Sequence, residues 1–355
     1  MIASIVVAGL LACLLTLLLV PTVIRLCNRW QIMDRPGPLK IHKQPIPRLG
    51  GVALVIGFSA SVIAFERSGA MHSWPFFAAL ALVWLTGLID DVRSLSILFR
   101  LAAQIAAAAL LWRHGWVVPS SGAGVASFLV TTFFVLALVD SVNFLDGSDG
   151  LAVGVAGIIA IAFVLASISR ADLFHAVLAS AVAGACLGFV RYNRPAAKIF
   201  CGDSGSTSLG CSIGFLSLDF WRSGHATPAR LLFPLLVAAL PLTDGALAIV
   251  RRLMNGSSPL QGDRSHVYDR MAARGWGPSR IALTGYAITI AFASVALWGL
   301  WREPQGFWIA AMLSVGVLVA WAVTLGCLRS ETKSAPNPVS TQETRQEAKD
   351  QANFS

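Results

Sequence analysis

Long apolar runs constrain this chain more than any other feature. The first run, residues 2–24, contains no charged side chain. A helix needs about 20 residues to cross the hydrocarbon core of a bilayer, or about 15 to 17 when it tilts or the bilayer thins. Eleven runs meet this requirement: 2–24, 50–65, 75–90, 97–113, 126–142, 151–168, 174–190, 205–219, 231–250, 281–301 and 307–328. The eighth is short and rich in glycine and serine.

The composition agrees with a membrane protein. Hydrophobic residues make up 56% of the 355 residues and charged residues 13%, against about 25% charged in a typical soluble domain. We therefore expect an all-α polytopic integral membrane protein with about 11 transmembrane helices. Residues 1–330 are predicted to form a single transmembrane domain, with a first helix that is retained rather than cleaved as a signal. The polar segment 331–355 is typical of a disordered tail.

Charge and cysteine patterns exclude two other classes of protein. The formal net charge is +9, but the basic residues are scattered between apolar segments and form no dense patch with interleaved aromatic residues. No nucleic-acid partner is therefore expected. The six cysteines include no C-x-x-C pair, so the sequence indicates neither a zinc site nor a disulfide framework.

The distribution of basic residues predicts the orientation in the membrane. If the apolar runs cross alternately, 21 of the 27 Lys and Arg residues fall on one side. Cytoplasmic loops carry the excess of positive charge in membrane proteins. The N-terminus is therefore expected outside and the C-terminus in the cytoplasm, a topology that requires an odd number of spans.

Aspartates give the strongest functional signal. Nine of them map to the cytoplasmic ends of predicted spans or to the loops between them: Asp90, Asp91, Asp140, Asp146, Asp149, Asp203, Asp244, Asp263 and Asp269. Carboxylates at a membrane edge are costly unless they are solvated, paired or bound to a metal. Their convergence predicts a shared site, whereas the alternative for each one alone is a helix cap or an ion pair with a loop arginine.

Three local patterns suggest oxygen ligands for a cation. Two adjacent aspartates end the third span, Asn143 begins a series of polar residues repeated every three positions, and Asp203 lies between two glycines just before a span. Mg2+ usually takes one or two carboxylates together with substrate phosphate oxygens, so it suits this pattern, with Mn2+ open as an alternative. The remaining ligand positions of a calcium loop are missing. Arginines are suited to bidentate phosphate contact, although topology alone also explains them.

The motifs, in their order along the chain, resemble those of the polyprenyl-phosphate N-acetylhexosamine-1-phosphate transferases, glycosyltransferase family 4. The matching segments are K-x-H to G-G (40–51), D-D (90–91), N-x-x-D-G-x-D-G-L (143–151), G-D-x-G-S (202–206), P-x-x-D to R-R (241–252) and D-R-x-H (263–266). The resemblance implies ten or eleven helices, a cytoplasmic active site, and Mg2+-dependent transfer of a sugar-1-phosphate from a UDP-sugar to undecaprenyl phosphate with release of UMP.

The same resemblance implies roles for individual residues. Asn143 and Asp203 correspond to metal ligands. The positions expected to be catalytic are Asp90, Asp91, Asp146 and Asp149, and those expected to bind substrate are Lys40, His42, Arg100, Arg264, His266 and Arg270. The common H-x-H-H is replaced by H-V-Y-D at 266–269 in the loop that contacts the sugar and diphosphate. This change favours the branch that initiates bacterial O-antigen synthesis in the inner membrane. A homodimer is left open.

Two other functions compete with this interpretation. A secondary transporter would use inner-face acids to couple ions, but transporters favour sites near the bilayer midplane and often show two related halves, and no repeat is visible here. A CDP-alcohol phosphotransferase would carry a D-G-x-x-A-R signature, which the sequence lacks.

The predicted topology is testable with an impermeant thiol reagent. In a cysteine-free variant, single cysteines introduced at Lys43, Ser257 and Ser334 should resist the reagent in intact cells and react after lysis, because all three positions are expected in the cytoplasm. Labelling at Ser257 from outside the cell would separate the predicted loops and contradict a shared site.

Overall fold

The computed structural model describes residues 1–35, 44–119, 124–168, 170–222, 227–258, 265–302 and 305–329. Within these residues the chain is helical apart from two paired two-residue strands, β1 (Met33–Asp34) and β2 (Ile46–Pro47). The helices are α1 (Ile2–Trp30), α2 (Gly50–Phe65), α3 (Arg67–His72), α4 (Trp74–Val92), α5 (Ile97–Arg113), α6 (Val125–Leu145), α7 (Leu151–Ile168), α8 (Leu173–Asn193), α9 (Gly202–Arg222), α10 (Pro228–Val237), α11 (Ala239–Met254), α12 (Val267–Ala273), α13 (Pro278–Arg302) and α14 (Phe307–Thr324).

The structure supports an all-α polytopic membrane protein. Seven of the described helices are long and apolar enough to cross a bilayer, and the bent pair α10 and α11 would make an eighth span. Helices lie in all eleven predicted segments, two of them in the ninth, but α2, α5 and α9 are not among the helices long and apolar enough to span. The count of eleven crossings and the orientation of the termini remain predictions.

The ninth predicted span is not one straight helix. Residues 231–250 were expected to be continuous, whereas the chain bends by 71° between α10 and α11. Pro241 lies in the first turn of α11 and has no N–H to donate to a carbonyl four residues earlier, so the helix is interrupted at Ala238. The chain changes direction at this break, just before Asp244 in α11.

Helix α9 lies at the centre of the bundle and is buried along almost its whole length. It packs against α2, α4 and α6, and glycines permit the close approach. A Cβ on Gly51 would meet the backbone of Gly205, and a Cβ on Gly87 would lie 2.7 Å from the carbonyl of Asp203. Small residues at such interfaces are typical of membrane helices. The protein around α9 shields its serines and glycines from lipid.

The ends of the helices that carry the sequence motifs meet at one end of the bundle. Gly50 and Gly51 donate backbone hydrogen bonds to the carbonyls of Phe200 and Cys201, 3.0 and 2.9 Å long. Asn193 accepts from the Gly150 backbone N–H at 3.1 Å. Motifs that are far apart in the sequence are thus brought to the N-terminus of α9.

A separate polar cluster lies at the opposite end of α9. The Nδ1 atom of the buried His175 is 3.0 Å from Oδ2 of Asp219, whose Oδ1 accepts from Trp116 Nε1 at 2.9 Å. With Asp172 these residues are close enough to share a metal ion. The carboxylate of Asp219 already has two donors, however, so the cluster is explained as paired structural groups.

The packing predicts different sensitivities at two glycines. Gly51→Ala should lower the free energy of unfolding by about 1 to 3 kcal/mol, because the added methyl meets backbone that has little room to move. Gly316→Ala in α14 is the control, since a Cβ there meets nothing within 4 Å. Thermal unfolding in detergent measures both, and equal transition temperatures for the two variants would contradict the packing described for α9.

Candidate active site

Asp91 caps the N-terminus of α9 from the neighbouring helix α4. Its carboxylate accepts hydrogen bonds from the backbone N–H groups of Asp203 (2.9 Å) and Ser204 (3.0 Å) and from the Ser204 hydroxyl (2.7 Å). Arg48 approaches the same carboxylate at 3.1 Å. The Asp91 side chain is fully buried, and helix N-termini favour negative charge. These contacts are those of a positioning residue, whereas the sequence suggested a catalytic one.

The adjacent Asp90 faces a different set of groups. Its Oδ2 is 3.1 Å from Nη1 of Arg100, and the same nitrogen is 3.1 Å from Oδ2 of Asp203. Oδ1 of Asp90 accepts from the backbone N–H of Leu95. One guanidinium thus joins carboxylates from α4 and α9, and the expected grouping of Asp90, Arg100 and Asp203 is observed.

Arg100 and Asp203 open onto a cleft between α4, α5, α6 and α9. The cleft is lined by Val83, Thr86, Gly87, Arg100, Ala103, Gln104, Asp140, Asn143, Asp203 and Thr207. Asn143 accepts a hydrogen bond from the Ser206 hydroxyl at 2.7 Å. The two residues that the resemblance gives as metal ligands, Asn143 and Asp203, therefore line the same cleft.

Asp146 and Asp149, in the turn between α6 and α7, have different surroundings. Burial raises the pKa of Asp146 well above its ordinary value, and the carboxylates of Asp203 and Asp91 raise it further. Asp149 accepts a hydrogen bond from the backbone N–H of Ala197 at 3.1 Å and does not line the cleft. Asp146 thus belongs to the carboxylate cluster, whereas Asp149 braces the loop that leads to α9.

The charge around the N-terminus of α9 fits a divalent cation. Among the described residues, the carboxylates of Asp90, Asp91, Asp146 and Asp203 act on one another, and the cations that contact or act on them are Arg48 and Arg100. A divalent cation beside these carboxylates would offset their mutual repulsion and favour their ionised forms. The oxygen donors of Asp203 and Asn143 are the ligand types that Mg2+ takes.

His266, expected to bind substrate, is buried against its neighbours. Its Nδ1 is 2.7 Å from Oδ2 of Asp244 in α11, and its ring packs between Phe144 (5.0 Å) and Tyr268 (5.9 Å). Tyr268 in turn contacts Gly147, where a Cβ would meet its hydroxyl.

Arg270, expected to bind substrate, holds the loop in place. Its Nη2 donates to the Ser265 hydroxyl at 2.7 Å and to the carbonyl of Arg329. Arg274 donates to the carbonyl of Leu325 at 2.7 Å, and Arg251 to that of Cys327. The end of α14 and the segment after it thus secure the loop. Lys40, His42 and Arg264 lie outside the described residues.

Sequence reasoning missed two groups at the site, Gln104 and Arg48. Asp140 was already among the nine aspartates expected to converge, and it lines the cleft. Gln104 follows Arg100 by four residues, a spacing that places both on the same helix face. That periodicity was a usable signal. Arg48 gave no such signal, because its contact with Asp91 depends on packing between distant segments.

Sequence comparisons with known proteins identify the family of this chain. Residues 73–220 match the profile of glycosyl transferase family 4. The decaprenyl-phosphate N-acetylglucosaminephosphotransferase of Mycolicibacterium smegmatis is 34% identical over 89% of this chain and 87% of its own length. The chain belongs to glycosyl transferase family 4.

Members of this family with different sugar substrates are similar to the chain. A probable undecaprenyl-phosphate N-acetylglucosaminyl 1-phosphate transferase of Bacillus subtilis is 28% identical over 82% of this chain and 84% of its own length. The phospho-N-acetylmuramoyl-pentapeptide-transferase of Moorella thermoacetica is 30% identical over 81% and 96%. This family 4 protein is therefore a polyprenyl-phosphate sugar-phosphate transferase by family, and its sugar is a separate question.

The capping role of Asp91 and the cleft role of Asp203 can be distinguished by measuring the unfolding temperatures of variants. Asp91→Asn should lower the free energy of unfolding by about 1 to 3 kcal/mol, because the amide presents a donor to backbone donors and removes the negative charge that pairs with Arg48. Asp203→Asn is the matched control, since its carboxylate faces the cleft and is 22% exposed. Both variants should lose activity, but only Asp91→Asn should unfold at a lower temperature. Wild-type unfolding of Asp91→Asn would contradict the capping role.

Proposed function

We propose that this protein transfers an N-acetylhexosamine-1-phosphate from a UDP-sugar to undecaprenyl phosphate at the cytoplasmic face of the inner membrane, releasing UMP. The lipid-linked product would start O-antigen or a related cell-envelope glycan. The observation that carries the proposal is the junction of Asp90, Arg100 and Asp203 beside Asn143, at the meeting point of four helix ends.

The arrangement suits a reaction between two phosphorylated substrates. Attack of a lipid phosphate on a diphosphate brings two anions together, so charge neutralisation and in-line positioning are the main requirements. Arg100 supplies a fixed positive charge at the cleft. Asp203 and Asn143 would hold Mg2+, which supplies further neutralisation of the diphosphate when bound.

A strong general base is not required for this reaction. A phosphomonoester has a second pKa of about 6, so the attacking phosphate is mostly dianionic at neutral pH. Asp90 orients Arg100 through its 3.1 Å contact and is placed to accept any residual proton. Asp91 acts through Asp203, since it fixes the first turn of α9.

The sugar is proposed from chemistry and from the relatives together. Similar proteins are named for N-acetylglucosamine, which supports a UDP-N-acetylhexosamine donor. The sequence H-V-Y-D at 266–269 supports the O-antigen branch, whose members accept 6-deoxy-N-acetylhexosamines. A transporter coupled through inner-face acids remains the alternative, and it predicts no new covalent product.

The direct test is transfer by the purified protein in lipid nanodiscs. Radiolabelled UDP-N-acetylglucosamine with undecaprenyl phosphate and Mg2+ should give a butanol-extractable, acid-labile lipid product. Asp203→Asn should lower the rate by about a hundredfold or more, because a weakened Mg2+ site loses electrostatic stabilisation of the reacting phosphates, which costs catalysis on that scale. Asp203→Asn should insert into the membrane and unfold at the wild-type temperature.

Metal removal is the control for that test. Excess chelator should abolish transfer by the wild-type protein, and added Mg2+ should restore it. Wild-type turnover in excess chelator would contradict the metal role of Asp203. The absence of any labelled lipid with every UDP-N-acetylhexosamine tried would contradict the proposed reaction itself.

A further inference from the structure

The cleft has a second polar layer, one helical turn deeper than the charged one. Gln104 lies four residues beyond Arg100 in α5, Asp140 three residues before Asn143 in α6, and Thr207 four residues beyond Asp203 in α9. Each spacing is about one turn, or about 5.4 Å along the helix. These residues line the cleft together with Thr86, and the function proposed above gives none of them a role.

Two hydroxyl groups and one amide N–H of this layer already donate hydrogen bonds within the protein. The hydroxyl of Thr86 donates to the carbonyl of Leu82 at 2.8 Å, and the hydroxyl of Thr207 donates to the carbonyl of Asp203 at 2.5 Å. The amide nitrogen of Gln104 donates to Oδ1 of Asp140 at 2.9 Å. Both threonine protons and one amide proton are thus held within the protein.

The buried side-chain atom of this layer that lacks a partner is an acceptor. Oε1 of Gln104 is buried without a hydrogen-bond partner, and the residue is 8% exposed. A reversed amide would bring Oε1 against the carboxylate of Asp140, and two acceptors do not pair. A buried acceptor without a partner is costly and is satisfied by a donor from a ligand or water. The deeper layer therefore favours a ligand group that carries O–H or N–H.

This requirement separates the two substrates. A polyprenyl phosphate offers acceptor oxygens and an apolar chain, which an acceptor-rich layer with a carboxylate repels. An N-acetylhexosamine offers hydroxyl groups and an amide N–H next to its anomeric phosphate. A phosphate held at Arg100 in the upper layer would place such a sugar within reach of the layer below.

We propose that Gln104 and Asp140 form the subsite that recognises hydrogen-bond donors of the transferred sugar and thereby set sugar specificity. The proposal rests on the proposed function, because it assumes a UDP-sugar donor. It also assigns sugar recognition to the floor of the cleft, in addition to the loop at His266, whose Nδ1 is engaged by Asp244.

The test pairs substrate analogues with variants. Wild-type kcat/KM is measured for UDP-N-acetylglucosamine, its 3-, 4- and 6-deoxy analogues, and UDP-glucose. At least one analogue should lose about tenfold or more, because the site is left with an unpaired acceptor. In Asp140→Asn and Gln104→Met that loss should shrink to about twofold, since the acceptor is altered or gone.

Two further measurements and a control variant identify what the deeper layer binds. The KM for undecaprenyl phosphate and the Mg2+ concentration for half-activation should stay within about twofold of wild type in both variants. Ile105→Val, on the exposed face of the same helix, should match wild type throughout. A changed KM for the lipid would indicate that the layer binds phosphate, and a changed Mg2+ requirement would indicate a second cation; either result would overturn the subsite.

The wild-type analogue series needs no variant, so it can overturn the proposal even if a substitution prevents folding. Equal kcat/KM for every analogue would overturn the subsite while leaving the transferase reaction intact. Absence of transfer from all UDP-N-acetylhexosamines would instead contradict the proposed function.

Discussion

The buried carboxylate of Asp91 is the interaction on which the site depends. It satisfies two backbone N–H groups and one hydroxyl at the start of α9, and Arg48 balances its charge. An unpaired charge in this position would be strongly destabilising. Because the cap lies on α4, it fixes the first turn of α9 relative to the helix that carries Asp90. The approach of Asp203 to Arg100 follows from that register.

The same register explains the unusual composition of α9. A helix surrounded by others need not be apolar, since protein rather than lipid covers it. It must carry small side chains where neighbouring helices approach closely. Gly51 and Gly87 on the neighbouring helices meet its backbone directly. Close packing thus brings four helix ends near enough for their side chains to share one cleft, so the packing of α9 and the chemistry of the cleft are consequences of one constraint.

The sequence predicted the helical segments and the grouping of Asp90, Asn143 and Asp203, because hydrophobic run length and motif position are local properties. It did not predict that Asp91 caps α9 or that His266 packs on Phe144, since both depend on contacts between distant segments. The bend at Ala238 follows from Pro241, which was visible in the sequence, but its 71° angle is set by tertiary packing. Asp140 was among the aspartates expected to converge, and Gln104 was within reach of a helical-periodicity argument.

The account rests on the claim that a sugar-1-phosphate, rather than a sugar, is transferred at this cleft. UDP-N-acetylglucosamine labelled with 32P in its β-phosphate tests the claim most directly when it is incubated with undecaprenyl phosphate and the purified protein. The account predicts that the label enters the lipid and that UMP is the nucleotide released in equal amount. Release of labelled UDP, with an unlabelled glycolipid, would contradict it.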